Sequence, residues 1–176
     1  MTRLRPLTCI LAVVLAALSC SRAPVDTSVT NEALGLHFAS VPEGFDVVTN
    51  EGSMLELAPS GEDSTGRMRF IVGPEQHSIN LVASLQADRA RLEAMPQGDY
   101  KGGQELQGPS GPAFYSRGRY ETDGATVEET RIFSIHPSSM RLLTLSYTYP
   151  AGADSAQRVT ELIGVFAEVE AISGAQ

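Results

Sequence analysis

An Asp-Gly pair between two long β-rich runs constrains the fold of this chain more than any other sequence feature. Asp123-Gly124 is the preferred centre of a type I′ turn, which joins two antiparallel strands. Folding residues 114–121 and 126–135 about this turn creates four favourable cross-strand pairs. The pairs are Tyr120 with Val127, Arg119 with Glu128, Tyr115 with Ile132 and Phe114 with Phe133. The sequence therefore predicts a long antiparallel hairpin of defined register.

Shorter strands precede this hairpin, and the strongest strand follows it. Runs bounded by Gly, Pro and Asn predict strands at 36–41, 45–49, 54–57, 67–72 and 140–149, with a short one around 100–106. In the strand at 140–149, one face carries Leu143, Leu145, Tyr147 and Tyr149, and the other carries Leu142, Thr144, Ser146 and Thr148. We therefore expect a central strand that is at least partly covered on both faces.

Two segments have the apolar period of helices. The first is predicted over 78–95, with Ser78 as its cap. Its predicted buried stripe is Ile79, Val82, Leu85, Leu92 and Met95, with Asp88, Arg89, Arg91 and Glu93 on the outer side. The second starts at Asp154, which with Gln157 resembles a capping box, and its predicted stripe is Val159, Leu162, Ile163, Phe166 and Val169. This order of elements predicts an α+β fold, an antiparallel sheet flanked by two main helices.

Two stretches resemble the PsbP-like proteins, a group that includes the PsbP photosystem subunit, a nuclear Ran-binding protein and bacterial lipoproteins of the DcrB type. Residues 41–45, Val-Pro-Glu-Gly-Phe, look like the entry motif of this family, with Phe45 where many relatives have Trp. The last strand and the helix over 154–169 look like the family's ending. The resemblance spans 34–172 and implies an α/β/α sandwich. It implies no site, since the fold serves unrelated roles, mostly in binding and assembly.

The first twenty residues have the character of a bacterial lipoprotein signal. Arg3 and Arg5 precede an apolar block at 7–18, which is shorter than the ~20 apolar residues that span a bilayer. The block ends in Ala17-Leu18-Ser19-Cys20, which resembles a lipobox, the motif whose cysteine is acylated. We therefore predict a signal peptide at 1–19 and a lipid on Cys20 that anchors the protein to a membrane.

Two further inferences follow from this leader. Ser21 after the cysteine is similar to the sorting signal that sends lipoproteins to the outer membrane, so the predicted location is the bacterial cell envelope, on the outer membrane and facing the periplasm. An ordinary cleaved signal that releases a secreted domain is the alternative interpretation. Residues 20–33 are polar and contain Pro24, so we predict a flexible tether there and a single domain over 34–176.

Charge and cysteine content exclude several classes of function. The chain has 13 basic and 21 acidic residues, and because Arg3 and Arg5 leave with the signal, its net charge changes from −8 to −10. Such an acidic chain is a poor partner for nucleic acid, which is bound by neutralising phosphates. Cys9 lies in the signal and Cys20 is the predicted lipid site, so the domain has no thiol for a nucleophile, a redox pair or a zinc site.

No catalytic, metal or cofactor site is predicted. His37, His77 and His136 are isolated in sequence, and ordinary packed or surface roles are predicted for His37 and His136, whereas His77 is placed like a loop residue that faces a ligand. The acidic pairs Glu62-Asp63 and Glu128-Glu129 are interpreted as solvated surface charge. Arg117 and Arg119 share one strand face, either as an anion- or partner-binding patch or, the favoured interpretation, as a solvent face neutralised by cross-strand pairs.

The predicted function is that of a non-enzymatic protein-binding or assembly module, held at the membrane through Cys20. The alternative is a small-molecule-binding lipoprotein with a pocket between sheet and helix. Tyr115, Tyr147 and Tyr149 would line that pocket, although the same tyrosines also suit a plain core.

Overall fold

The computed structural model describes residues 27–61 and 65–172. These residues form an α+β fold, as predicted. The strands are β1 (Val29–Asn31), β2 (Leu36–Phe38), β3 (Phe45–Glu51), β4 (Met54–Pro59), β5 (Arg67–Val72), β6 (Asp99–Gly108), β7 (Gly111–Thr122), β8 (Ala125–Ile135), β9 (Leu142–Pro150) and β10 (Glu170–Ala171). The helices are α1 (Leu81–Ala94) and α2 (Ser155–Ala167). None of the helices in these described ranges is both long and apolar enough to cross a membrane.

Seven strands form one antiparallel sheet in the order β3-β4-β5-β9-β8-β7-β6, so β9 is its central strand. The register of the hairpin formed by β7 and β8 is confirmed at all four predicted pairs. Its turn has the predicted type I′ character, because Asp123 (φ 51°) and Gly124 (φ 75°) both have positive φ.

One face of this sheet forms the hydrophobic core. A three-stranded sheet, in the order β1-β2-β10, and helix α2 supply the apolar side chains that complete the core. Phe38 of β2 meets Phe70 of β5 edge to face, with ring centroids 5.5 Å apart. The predicted inner residues of β9 are all buried: Leu143, Leu145, Tyr147 and Tyr149.

Asp154 caps helix α2 as predicted, but the predicted capping box is only half formed, because the Gln157 side chain bonds Glu161 and not the Asp154 nitrogen. The Asp154 carboxylate accepts hydrogen bonds from the backbone nitrogens of Ala156 (3.0 Å) and Gln157 (3.2 Å). The Gln157 side chain donates to Glu161 (2.8 Å), the residue one turn along the helix. The predicted stripe is partly wrong, since Ile163 is exposed and Val159 is only half-buried. The inward positions follow a spacing of three and four residues instead, and are Leu162, Val165, Phe166 and Val169.

Helix α1 begins later than predicted and faces inward differently. Asn80, and not Ser78, caps the helix by accepting a hydrogen bond from the Ala83 nitrogen (3.0 Å). The buried residues of the helix are Asp88 and Leu92. Of the rest of the predicted stripe, Val82 is exposed, whereas Ile79, Leu85 and Met95 are half-buried, so the stripe is only partly right.

The cause lies in the sheet surface beneath α1. Leu92 packs where Gly118 leaves room: a Cβ atom on Gly118 would lie only 2.6 Å from Leu92 Cδ1. The surface around this contact is polar, so a carboxylate, Asp88, also points inward from the helix. The predicted placement of Asp88 on the outer side is therefore wrong.

The folded part begins before the predicted domain start at residue 34. Val29 and Asn31 of β1 are buried, and β1 pairs with β2, so these residues belong to the domain and not to a tether. The Asn31 amide donates to Asn50 Oδ1 (2.9 Å), and its oxygen accepts from the Leu34 nitrogen (2.9 Å). The predicted signal peptide (1–19), Cys20 and the first part of the tether lie outside the described residues.

Strand ends also differ from the sequence prediction. β2 ends at Phe38, three residues earlier than predicted, and the chain then turns towards β3. β9 begins at Leu142, since Met140 adopts a left-handed conformation (φ 53°) that no strand accommodates. The strand predicted around 100–106 is longer, and its full extent is Asp99–Gly108.

Candidate binding surface

The sheet face opposite the core is polar and only partly covered. Helix α1 lies on this face over β6, β7 and β8. On β5, the side chains of Arg67, Arg69 and Ile71 point to the same side and are 46%, 53% and 42% exposed. β5 is an inner strand, between β4 and β9, and this exposure shows that no layer formed by residues 27–61 and 65–172 covers the sheet there.

A row of polar side chains crosses this face from strand to strand. The register places Glu56 beside Arg69, Arg69 beside Ser146, Ser146 beside Arg131, and Arg131 beside Ser116. The row therefore runs from the uncovered strands to the strands under α1. We call its uncovered part the open face, and define it as Glu56, Arg67, Arg69, Ile71, Ser146 and Thr148.

Where the open face meets α1, four charged side chains close an ion-pair ring. Arg91 donates through Nε to Asp88 (2.8 Å) and through Nη2 to Glu129 (2.6 Å). Arg131 donates through Nε to Glu129 (2.8 Å) and through Nη1 to Asp88 (3.2 Å). Ser116 adds a short hydrogen bond to Asp88, and Ser146 donates to Glu129 (2.8 Å). Each carboxylate is thereby satisfied by two arginines and one hydroxyl.

The two carboxylates of the ion-pair ring are buried. The side chains of Asp88 and Glu129 are each 3% exposed. Burial alone would raise the pKa of Glu129, but Arg131, Arg91 and the Ser146 hydroxyl outweigh it, so the pKa lies below the usual range for glutamate. The ion pairs and hydrogen bonds of these two carboxylates join α1 to the sheet.

Glu56 organises the uncovered half in a similar way. It accepts two hydrogen bonds from Arg69, from Nη2 (3.0 Å) and Nε (3.3 Å), and lies 3.6 Å from Arg67 Nε. Arg67 also donates through Nη1 to the Gly66 carbonyl (2.7 Å). The Glu56 side chain is nearly buried, whereas both guanidinium groups reach solvent.

Two grooves run along this face beside α1. One has a volume of about 310 Å³ and is lined by Arg67, Arg69, Ile71, Tyr120, Glu129, Arg131, Ser146 and Thr148. The second, also about 310 Å³, lies between α1 and the sheet and includes Ser84, Arg91, Arg131, Phe133, Leu142 and Thr144. Arg131 lines both grooves, so the ion-pair ring separates them. Such a surface suits an extended polar ligand better than a small apolar one.

The tyrosine-lined pocket predicted as the alternative is wrong. Tyr147 and Tyr149 are buried in the core, where their rings pack against each other with centroids 5.2 Å apart. Burial raises the pKa of Tyr147 to about 12, and its hydroxyl donates to Glu161 (3.2 Å). Tyr115 packs against the edge of the same core.

The three histidines lie apart from the open face. His37 bonds Thr30 across β1 and β2 (2.9 Å). His77 is exposed in the loop before α1 and lines neither of the two grooves. His136 is a packed histidine, as predicted: its Nδ1 accepts from the nitrogens of Ser138 (3.3 Å) and Ser139 (3.2 Å) and so holds the turn after β8. Across residues 27–61 and 65–172, no three His, Cys, Asp or Glu side chains group as a metal site would require.

The arginine pair on β7 lies on the core side of the sheet. Arg119 stands opposite Glu128 in the register, as predicted, but its ion pair is with Asp99 of β6 (3.8 Å). Arg117 donates to Ser155 at the start of α2 (3.2 Å). Of the favoured interpretation, a solvent face neutralised by cross-strand pairs, only the cross-strand neutralisation of Arg119 is found, and its partner is Asp99 and not Glu128.

The two acidic pairs have different outcomes. Glu62 and Asp63 lie outside the described residues. Glu128 and Glu129 point to opposite faces, but Glu129 is buried in the ion-pair ring, so its interpretation as solvated surface charge is wrong. Sequence reasoning missed the open face itself, although the alternation Arg67, Arg69, Ile71 on a predicted strand already placed these residues on one face.

Comparison with known proteins gives relatives by fold only. No family model matches the sequence, and no curated protein does. A solved structure from Bacteroides thetaiotaomicron is 10% identical with a TM-score of 0.56; the match covers 85% of this chain and 50% of that chain, so the chain spans half the length of that relative.

Two solved structures of Mog1 are also similar. A mutant of Mog1 is 12% identical with a TM-score of 0.52, over 84% of this chain and 96% of that one. The Ran-binding protein Mog1p of Saccharomyces cerevisiae is 11% identical with a TM-score of 0.50, over 82% and 94%. LpqN of Mycobacterium tuberculosis, which is involved in cell envelope biogenesis, is more loosely similar, 14% identical with a TM-score of 0.47 over 84% of each chain. The likeness to Mog1 shows a related α+β sandwich.

Proposed function

We propose that this protein is a lipid-anchored envelope protein that binds a protein partner through the open face and catalyses no reaction. The observation that carries the proposal is the exposure of Arg67, Arg69 and Ile71 on an inner strand of the sheet. An antiparallel sheet commonly packs one face on the core and leaves the other accessible, and here the accessible face combines an apolar side chain with charged ones, which gives a protein partner a surface on which to dock. The Ran-binding protein with a similar fold supports the idea that this architecture suits protein binding.

The charged residues of the face suit binding more than catalysis. Asp88 and Glu129 each accept hydrogen bonds from two arginines and a serine, so their oxygens are already engaged within the protein. Their role is to hold α1 and the guanidinium groups in place. Screens of the mature protein for esterase, peptidase and phosphatase activity should therefore give no turnover, whereas reproducible turnover lost in a single serine variant would contradict the proposal.

The anchor part of the proposal depends on Cys20. The lipobox-like sequence before it and the polar residues after it support acylation. An acylated protein should fractionate with membranes and resist salt extraction, since lipid burial is hydrophobic and is not screened by ions. Mass spectrometry of the N-terminal peptide gives the decisive measurement. An unmodified Cys20 in protein purified from its native membrane would leave a secreted domain instead.

Site-specific photo-crosslinking tests the docking site. Benzoylphenylalanine at position 71 of the full chain, expressed in its native envelope, should give one dominant adduct identifiable by mass spectrometry. Position 69 should give the same partner. Position 163 is the matched control, because Ile163 is also an exposed isoleucine but lies on α2, on the other side of the sheet. Equal adducts from all three positions, or none from 69 and 71, would contradict docking at the open face.

A further inference from the structure

We infer that the open face recognises an acidic, extended segment of its protein partner, whose carboxylates bind Arg67 and Arg69. This inference rests on the proposed function and adds the chemistry of the partner. It follows from how charge is layered on this face, from the orientation of the two arginines and from their spacing along β5.

Charge on this side of the sheet is arranged in two layers. The carboxylates of Glu56, Asp88 and Glu129 are buried or nearly so. The side chains of Arg67 and Arg69, which pair with Glu56, are about half exposed. Those of Arg91 and Arg131, which pair with Asp88 and Glu129, are 29% and 24% exposed. A docking partner therefore meets N–H donors and positive charge, on a protein whose overall charge is −8. Complementary charge makes an acidic partner the favoured one.

The exposed arginines are held in position before a partner arrives. Glu56 binds Nε and Nη2 of Arg69, which leaves Nη1 unbonded among the described residues, and Arg69 lines the groove. Arg67 donates to the Gly66 carbonyl and lies beside the Glu56 carboxylate. Preorganised guanidinium groups lose less conformational freedom on binding, and they match carboxylates with paired N–H donors.

Spacing along the strand selects an extended segment. Residues two apart on one strand face are about 6.6–6.8 Å apart, the distance between every second side chain of another extended chain. Arg67 and Arg69 thus match acidic residues at alternate positions. Ile71 continues the same line and offers an apolar contact at the next position. The groove of about 310 Å³ beside them has room for the intervening side chains.

Direct binding of a defined probe tests the inference. The probe is a fluorescein-labelled peptide of about nine residues that alternates glutamate with threonine, and its control carries glutamine in place of every glutamate. Fluorescence anisotropy with the full-length mature protein in detergent should show binding of the glutamate peptide and at least about tenfold weaker binding of the glutamine peptide. Binding should weaken as salt is raised, since the contact is ionic.

Variants locate the contact. Arg69→Gln should weaken binding of the glutamate peptide about tenfold, and Arg69→Lys should fall between the two, because lysine keeps the charge but loses the paired donors. Arg119→Gln is the matched control: Arg119 is also a strand arginine, 46% exposed and paired with a carboxylate, but it lies on the opposite face. The affinity of the Arg119→Gln variant for the glutamate peptide should stay within about twofold of that of the parent protein. Urea unfolding of each variant separates lost binding from lost folding.

Several outcomes would overturn the inference. These are equal binding of the two peptides, equal weakening by Arg69→Gln and Arg119→Gln, and displacement of the peptide by millimolar inorganic phosphate at constant ionic strength, which would indicate a small-anion site. If position 71 still crosslinks to a specific partner while the glutamate peptide fails to bind, the acidic chemistry is wrong and the docking function stands. If the crosslink is absent as well, both are wrong.

Discussion

The two faces of the central strand β9 show how one sequence serves two purposes. Leu143, Leu145, Tyr147 and Tyr149 point to the core and are fully covered by α2 and the three-stranded sheet. Thr144 and Ser146 lie on the opposite face of the strand and are also largely buried. There they lie beside charged side chains and line the two grooves. The first face is held by apolar burial and the second by ion pairs, although both belong to the same nine residues.

This difference would separate stability, on the core face, from the partner recognition that we propose for the polar face. Apolar burial is the larger contribution to folding, and it comes from removing apolar surface from water. Ion pairs contribute less, because the carboxylates lose hydration when they are buried. A face built on ion pairs can therefore stay partly open, and charged groups can remain at its rim without loss of the core. The predictions below test this separation, from the largest effect to the smallest.

Removing an aromatic ring from the core face should have the largest effect. Phe70→Ala deletes the ring that packs against Phe38 and joins the two sheets. We expect it to lower the free energy of unfolding by about 3–5 kcal/mol, since it leaves a cavity at the centre of the core. Urea unfolding followed by circular dichroism measures the change. A loss below about 1 kcal/mol would show that the two sheets do not depend on this contact.

Breaking the ion-pair ring should have a smaller but clear effect. Glu129→Gln removes one of the two buried carboxylates and leaves Arg91 and Arg131 with half of their partners. We expect a loss of about 2–3 kcal/mol, at or below the usual cost of breaking a buried pair, because both arginines retain contact with water. Urea unfolding at neutral pH gives the value.

The control for this variant is the same chemical change in an exposed pair. Glu93→Gln breaks the ion pair with Arg89 one turn away on the outside of α1 (2.8 Å). Its expected cost is below about 0.5 kcal/mol, as for other exposed pairs on helices. Equal costs for Glu129→Gln and Glu93→Gln would show that the ring contributes no more than a surface pair.

Acid should weaken the polar face before it affects the core. The pKa of Glu129 lies below its ordinary value of 4.5 in the folded protein, so the unfolded chain binds more protons as the pH falls through that value. The stabilisation from Glu129 is thus fully present above about pH 5 and is lost as the pH falls towards the folded pKa. The fall in unfolding free energy between about pH 5 and pH 3 should be shallower in Glu129→Gln than in the parent. Identical slopes would assign the acid sensitivity to other carboxylates.

The sequence predicted the core side of this comparison well, because local signals encode it. Asp123-Gly124 sets the hairpin register, Asp154 caps α2, and the alternation in β9 identifies the buried tyrosines. Each of these signals lies within one element or one turn. The three-residue strand β1 is too short to show a period, and its pairing with β2 arises only in the folded chain.

The polar side could not be predicted in the same way. Asp88 and Glu129 are far apart in sequence, and only the packing of α1 over Gly118 brings them within reach of the same arginines. An apolar stripe is the usual sign of a helix face that packs inward, so α1, which packs on a polar surface, gave a misleading pattern. The exposure of β5 likewise depends on where α1 packs across the sheet, and the sequence of β5 does not indicate that position.

The smallest expected effect on stability is at the open face itself. Ile71→Thr replaces an exposed β-branched residue with another, beside the buried Phe70 on the same strand. Threonine keeps the strand preference of isoleucine, and the substitution loses little buried apolar surface because Ile71 is exposed. The unfolding free energy should therefore change by less than about 0.5 kcal/mol. Recovery of the partner crosslinked from position 69 should nevertheless fall several-fold, because Ile71 supplies the apolar contact of the docking site. Adjacent residues on one strand would then have opposite roles, Phe70 in stability and Ile71 in binding. A variant that loses several kcal/mol of stability, or one that retains full crosslinking, would show that this division between the two faces is wrong.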